Sequence, residues 1–426
     1  MPGTELTWGI AGYGDIVRRR ALPGLLSLSQ RVAVVWGRDA ARARALAGEH
    51  GVPLGTSDYA ELLRAVDVVY VATPVAAHVP LAAAAVRAGL PVLVEKPLGL
   101  LPLTPAPYGG ASGAGPYGGA LGAGPYGGAS GTEPYGGASA RGERPAAFRA
   151  RPPDGLRAEL AAPGAHVGVA YYRRLAPAVV RLAGLLAGRA VHRVTLSFRA
   201  PFDPAPGDPR AWRTDPAESG GGVLADIGSH RLDLLVRLLG EPVTVDAVLG
   251  ARFPRGAERA ARVELSWPSG TRASLDAEWA PAPPYDRMAV TFDGGRVELD
   301  PLDAGRIRGV VDGAPIDEHL PPAANPHAPL LADFAHSVRY GTAPACPFTD
   351  AALVDDLIAA AYRAAPPPPS VGGPSAAPPR SAPPFAGGPS AGDPSRGGGP
   401  PAGDPSGGNP PAGVPTAENP FPEEIR

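Results

Sequence analysis

Gly12-Tyr13-Gly14-Asp15-Ile16 is a Gly-x-Gly turn that follows an apolar run and leads into helical spacing. In that setting Gly12 permits a tight turn and Gly14 lets the backbone approach a pyrophosphate. The helix start at Asp15 and Ile16 then offers N–H groups and a positive dipole end to phosphate charge. The third glycine of a full dinucleotide fingerprint is replaced by Val17, which spaces helix and strand more widely. The second strand ends in Trp36-Gly37-Arg38-Asp39. An NAD site wants an acid there for the ribose 2′-hydroxyl, and an NADP site wants a cation for the 2′-phosphate. Trp or Gly holds the acid position and Arg38 follows, so charge favours NADP over NAD. The alternative is a solvated Arg38 at a helix start, paired with Asp39. Asp226 and His230 are four residues apart and share one face if helical. His230 has the intrinsic pKa of a general acid/base, and Asp226 suits orienting it or binding a substrate hydroxyl. Lys96 closes an apolar run, at the strand end where ligands of parallel sheets bind. Hydride transfer at a secondary alcohol needs a proton acceptor and a cation or donor for the oxygen. Lys96 and His230 fit those two needs, in an order that the residues leave open.

The elements that must position these groups follow from periodicity. Leu6–Ala11, Val32–Trp36, Val66–Ala72 and Pro91–Val94 read as near-continuous apolar strands. They alternate with helical stretches at Leu22–Leu28, Ala40–Glu49, after Ser57 or Asp58, and Ala76–Ala88. This pattern predicts a parallel sheet covered on both faces, a Rossmann domain. His166–Tyr172 reads as its last strand, and Val179–Leu186 as a helix. Strand runs then follow at Val191–Phe198, Val243–Leu249, Arg262–Trp267, Arg272–Trp279, Met288–Phe292 and Arg296–Leu299, separated by tight turns. They predict a large, mainly antiparallel sheet in a second α/β domain. Late helices are expected at Leu330–Tyr340 and Thr349–Ala364. The fold class is therefore α/β. Its expected domains are 1–100 Rossmann, 101–153 insert, 154–175 remainder of the Rossmann domain, 176–365 substrate and oligomerisation domain, and 366–426 tail.

Ala72-Thr73-Pro74 with His78, Val94-Glu95-Lys96-Pro97, Arg174-Leu-Ala-Pro177, Trp212-Arg213 and Ser219-Gly-Gly-Gly-Val-Leu-Ala-Asp226-Ile-Gly-Ser-His230-Arg-Leu-Asp233 resemble the Gfo/Idh/MocA oxidoreductases. The resemblance covers about residues 5–100 and 165–365. It implies NAD(P)-dependent oxidation or reduction of a carbinol–carbonyl pair on a sugar, cyclitol or related polyhydroxylated substrate. Lys96 is implied to hydrogen-bond the reacting oxygen and assist proton transfer, with Asp226 and His230 beside it. Thr73, Pro74, His78, Glu95 and Lys96 are implied to join Gly12, Tyr13, Gly14, Asp15, Ile16 and Arg38 around the cofactor. A helix-capping role for His78 fits equally. Tyr172, Arg174, Trp212 and Arg213 are implied to line the substrate pocket, as is Tyr171. The chain departs from the family after Pro97. Where a crossover helix is usual, Pro-Tyr-Gly-Gly begins at Pro107, Pro116, Pro125 and Pro134. Asp154–Ala162 is a candidate remnant of that helix. Either the remnant or a partner subunit must cover the sheet, or the domain is weakened. Family members commonly associate through their open sheets, so a homo-oligomer is expected.

Composition narrows the alternatives. A formal net charge of −2 lacks the basic excess that phosphate-backbone binding needs, so no nucleic-acid partner is expected. The one cysteine, Cys346, forms no internal disulfide and lies far from any metal-like cluster, so no metal is expected. The N-terminus lacks a secretory pattern and no apolar run spans a bilayer, so a cytoplasmic, membrane-free protein is expected. With 57 Gly and 56 Pro concentrated in the insert and after Ala365, both stretches are expected to be disordered. Two other functions fit the sequence. One is a non-catalytic dinucleotide-binding regulatory protein of the same fold, and the other is an interaction protein working through its repeats and tail.

Overall fold

The computed structural model describes residues 5–99, 155–281 and 283–365. The Pro-Tyr-Gly-Gly repeats and the Pro/Gly-rich tail lie outside the described residues.

The first layer alternates strictly. β1 (Thr7–Ala11) leads through the Gly12–Gly14 turn into a π-helical turn (Val17–Ala21) and α1 (Leu22–Ser27). β2 (Arg31–Trp36), α2 (Ala40–Glu49), β3 (Leu54–Thr56), α3 (Tyr59–Arg64) and β4 (Val68–Val71) follow. A 3₁₀ turn (Val75–Ala77) and α4 (His78–Arg87) then lead to β5 (Val92–Val94), α5 (Gly155–Leu160) and β6 (Val167–Val169). The six strands lie in the order β3-β2-β1-β4-β5-β6 with every pairing parallel. This is the doubly wound order, whose ligand crevice opens where the chain reverses between β1 and β4. Every residue of β4, β5 and β6 is buried, which explains why their sequences are apolar without alternation. Asp39 caps α2, its Oδ1 accepting from the Ala41 and Arg42 amides.

The expected helix remnant is α5. Leu160 is buried in the main core, Arg87 pairs with Glu159, and Arg157 makes two bonds to Asp356. The sheet is thus covered there by this chain's own residues. The edge of β6 is closed by the segment before the last helix, through Val169 N–H donating to the Cys346 carbonyl.

The second layer begins with a 3₁₀ turn (Tyr172–Leu175), α6 (Pro177–Leu186) and β7 (Val191–Ala200). α7 (Pro216–Ser219), a π-helical turn (Leu224–Gly228) and α8 (Ser229–Leu239) precede β8 (Thr244–Leu249). Then come β9 (Ala260–Ser266), β10 (Arg272–Trp279), β11 (Tyr285–Phe292), β12 (Gly295–Leu299), β13 (Arg306–Val311) and β14 (Ala314–His319). The last two strands were not anticipated, because charged and glycine residues interrupt their apolar pattern. The sheet order is β14-β13-β12-β11-β7-β10-β9-β8, antiparallel except for the β7–β10 pair. Leu196, Leu275, Val263 and Met288 line its buried face, while Arg262–Asp276 and Arg199–Glu278 ion pairs sit among the alternate residues.

The late helices return to the first sheet. α9 (Ala328–Tyr340) packs Leu330, Leu331 and Phe334 in one cluster with Trp8 and Ile10. α10 (Phe348–Ala364) contacts α8, β8 and β6, so it binds both layers together. No helix among the described residues is long and apolar enough to cross a membrane.

Candidate active site

The Gly12 turn is built by close approach. Gly12 has φ +139°, its N–H donates to Trp36 O at 2.8 Å, and a Cβ there would lie 2.2 Å from Ala72 O. A Cβ on Gly14 would meet nothing within 4 Å, so that side of the turn is open for a ligand. Val17, in the third-glycine position, is fully buried beside Trp8 and Ile10.

A cavity of about 440 Å³ lies between this turn and the second layer. Asp15, Ile16, Thr73, His78, Glu95 and Lys96 reach it from the first layer, and Tyr172, Trp212, Arg213, Asp226 and His230 from the second. The centre is Asp226. Lys96 Nζ donates to Asp226 Oδ1 at 2.9 Å and to its main-chain O at 3.1 Å, and Arg213 pairs with Oδ2 at 3.2 Å. Burial raises the Asp226 pKa, but Arg213 and Lys96 outweigh it and hold the carboxyl at about 2. Asp226 Oδ2 is buried and holds the Arg213 ion pair without a hydrogen bond among the described residues.

Asp226 sits in the π-helical turn and His230 in the first turn of α8. The His230 ring is held by the edges and faces of Tyr171 and Tyr172, at centroid distances of 5.7 and 5.4 Å. Burial, then the charges of Arg173, Lys96 and Arg231, push its pKa well below the ordinary histidine value. It is therefore a neutral imidazole near pH 7, and its Nδ1 is buried without a hydrogen-bond partner among the described residues.

Other expected site residues have different surroundings. Both ring nitrogens of His78 face carbonyls, Pro97 O at 2.9 Å and Thr73 O at 2.7 Å, and no side chain caps α4. Glu95 is buried with Tyr70 OH on Oε1, and its Oε2 accepts the Lys96 N–H at 3.2 Å. Tyr13 packs on Gly37, with the Arg42 guanidinium 4.5 Å from its ring centroid. Arg38 is exposed at the end of β2. Pro74 precedes the 3₁₀ turn. Arg174 is not brought to the cavity. It is buried, with Nε 2.8 Å from Asp233 Oδ1 and one terminal nitrogen donating to Asp350 and to Ala345 O. It ties the Tyr172 turn to α8 and to the start of α10.

Two contributors were missed from sequence. His327, 1 % exposed, lines the cavity with its ring 4.7 Å from Tyr172 and Nε2 3.6 Å from Glu95. A lone histidine after a proline-rich loop carries no spacing signal. Glu258 accepts from Leu224 N–H at 3.0 Å and Tyr362 OH at 2.9 Å, which anchors the glycine-rich entry to the Asp226 turn. A Cβ on Gly222 would lie 2.2 Å from Glu258 O, so the glycine there answers to a buried strand end rather than to a loose loop.

The model described as "Oxidoreductase family, NAD-binding Rossmann fold" matches residues 6–106, and that described as "GFO/IDH/MocA C-terminal domain" matches residues 188–298. D-xylose 1-dehydrogenase (NADP(+)) 2 of Haloferax volcanii is 26% identical over 371 residues, 84% of this chain and 97% of that protein. A dTDP-3,4-didehydro-2,6-dideoxy-alpha-D-glucose 3-reductase of Streptomyces antibioticus is 41% identical over 100 residues, 23% of this chain and 30% of that protein. The solved aldose-aldose oxidoreductase of Caulobacter crescentus superposes with a TM-score of 0.64 at 24% identity, covering 84% of this chain and 97% of that one.

Proposed function

The chain belongs to the Gfo/Idh/MocA family of oxidoreductases, and from that premise we propose that it transfers a hydride between NADP and a carbinol or carbonyl carbon of a sugar-like substrate. The observation that carries the reading is the convergence of Lys96, Asp226 and His230 from two layers on one cavity. Asp15 and Ile16, directly after the glycine turn, line the same cavity.

The residues fit a dinucleotide. Gly14 leaves backbone open to a pyrophosphate, Gly12 makes the close turn that presents it, and Thr73 Oγ1 is a buried polar atom without a hydrogen-bond partner among the described residues. Asp15, Ile16 and Thr73 would hold the cofactor along the cavity wall. When bound, it supplies the hydride acceptor or donor. Preference for NADP is supported at the ribose end. An acid at Gly37 would displace the Tyr13 ring, because a Cβ there would lie 2.0 Å from Tyr13 Cε1. Asp39 is committed to capping α2. Arg38 and Arg42 are the cations at this end that would face a 2′-phosphate.

In the oxidative direction the Lys96 ammonium donates a hydrogen bond to the reacting oxygen. His230, neutral for the electrostatic reasons above, accepts the hydroxyl proton. Asp226 aims Lys96 and offers Oδ2 to a neighbouring hydroxyl, while Arg213 holds that carboxylate in its ionised form. In reduction His230 returns the proton. Tyr172 and Trp212 supply faces for a sugar ring.

The test is the purified full chain with NADP⁺ and a panel of aldoses, cyclitols and keto-sugars, followed at the nicotinamide absorbance band. Turnover of at least one member is expected, with loss in Lys96→Met. Tight cofactor binding with no turnover on any of them would favour the non-catalytic regulatory reading instead.

A further inference from the structure

His78 is a doubly bonded side chain of the cavity that the chemistry above leaves without a task. Its ring is 1 % exposed and touches two main-chain carbonyls that belong to different strands' exits. Thr73 lies just beyond β4, and Pro97 lies just beyond β5, directly after Lys96. Both Thr73 and Pro97 line the cavity. On the other side of Lys96, Glu95 N–H donates to Val71 O at 2.8 Å and Glu95 Oε2 accepts from Lys96 N–H. The main chain at Lys96 is therefore bracketed, by Glu95 before it and by the Pro97 carbonyl after it.

We propose that His78 is a positioning residue: its imidazole locks the β4 and β5 exits to each other, and so sets both Lys96 and the floor on which the nicotinamide half of the cofactor rests. The proposal rests on the dinucleotide reading of this cavity. A neutral imidazole donates to one carbonyl and an imidazolium donates to both, so one bond stands in either state. The arrangement matters because a reacting group displaced by about 1 Å can cost about 100-fold in rate. The Glu95 N–H to Val71 O bond ties the two strands one step earlier, and His78 carries the link on past Lys96 to Thr73 and Pro97.

The experiment compares two probes on the full chain. NADPH has both halves of the cofactor, while adenosine 2′,5′-bisphosphate has only the adenine half. His78→Phe keeps a ring of similar size and removes both bonds, and His78→Gln can still donate to one carbonyl. We expect His78→Phe to weaken NADPH about tenfold or more, as the loss of a buried hydrogen bond implies, and to leave the bisphosphate within about twofold. His78→Gln should recover part of the NADPH loss. Equal weakening of both probes, or no weakening of NADPH, overturns the proposal. If His78→Phe fails to fold, the Gln variant decides by the same split. A third reading needs no ligand: an imidazole N–H of His78 protected from exchange with D₂O supports the lock. Exchange as fast as in exposed His336 refutes it. That reading stands even if the wild type binds neither probe, a result that would sink the cofactor assignment by itself.

Discussion

Asp226 and Asp233 lie on one continuous helical stretch, each paired with arginine, yet their environments drive them apart. Burial raises the pKa of both. At Asp226, Arg213, Lys96 and Arg231 add their charges without a competing acid, and the carboxyl is held at about 2. At Asp233 the single Arg174 is shared with Asp350, whose charge repels, and the carboxyl is pushed up to about 6. Asp226 borders the cavity between Lys96 and Arg213, while Asp233 is sealed against Arg174 and Cys346 away from it. An Asp–Arg pair thus says little about function until the count of opposing charges and access to a cavity are known.

Breaking the cavity side should have the largest effect. Lys96→Met is expected to lower kcat by roughly 1,000-fold, within the usual range for losing a positioned proton-transfer group. It should also lower the melting temperature, because Asp226 keeps only Arg213 as a paired cation. On the sealed side, Arg174→Met strands the Asp233 carboxylate and should destabilise the fold by about 3–5 kcal/mol in denaturant unfolding. NADPH affinity of the folded fraction should stay unchanged. A normal melting temperature with a raised substrate KM would move Arg174 back into the site. At the ribose end, Arg38→Ala should cut the NADPH-over-NADH preference by about 10- to 100-fold, as expected for a lost charged hydrogen bond. An unchanged ratio of Michaelis constants would refute its role.

The smallest net effect is in the pH dependence of stability, where the two aspartates oppose each other. The lowered Asp226 pKa contributes stability that is present above the unfolded value of 3.8 and is lost as pH falls through about 2. The raised Asp233 pKa means that the folded state holds the proton longer, so its contribution is full below 3.8 and is lost as pH rises through about 6. Each is on the order of 2–3 kcal/mol, with opposite sign. Asp226→Asn should flatten the acid limb of the stability curve between about pH 4 and 2. Asp233→Asn should instead remove a decline between about pH 4 and 6. The same limb changing in both variants would show that they share one environment after all.

Much of this was legible in the residues. Near-continuous apolar strands can be stable only with both faces covered, so β1, β2, β4, β5 and β6 were readable, and Gly12 from the turn that it must make; the three-residue edge strand β3, Leu54-Gly-Thr56, is too short and too little apolar to show a pattern. Asp226 and His230 were readable as a helical pair. β13 and β14 were not, since their outward positions face solvent and their strand character depends on pairing with β12. Arg174 was misplaced for a similar reason. Its motif marks a position in the chain, but whether a guanidinium there meets a substrate or a buried Asp233 is decided by how the Tyr172 turn packs on α8. His327 and Glu258 carried no local pattern at all.

By itself the sequence determined which backbone can approach a phosphate, which strands are buried, and that a lysine, an aspartate and a histidine were available for proton chemistry. These follow from local geometry and periodicity, which act within a few residues. The tertiary structure alone decided that Lys96 meets Asp226 across 130 residues, that His230 is buried deeply enough, among positive charges, to stay neutral, and that His78 bridges two strand exits. Those outcomes depend on burial and on charges brought together from distant segments, which exist only once the layers have packed.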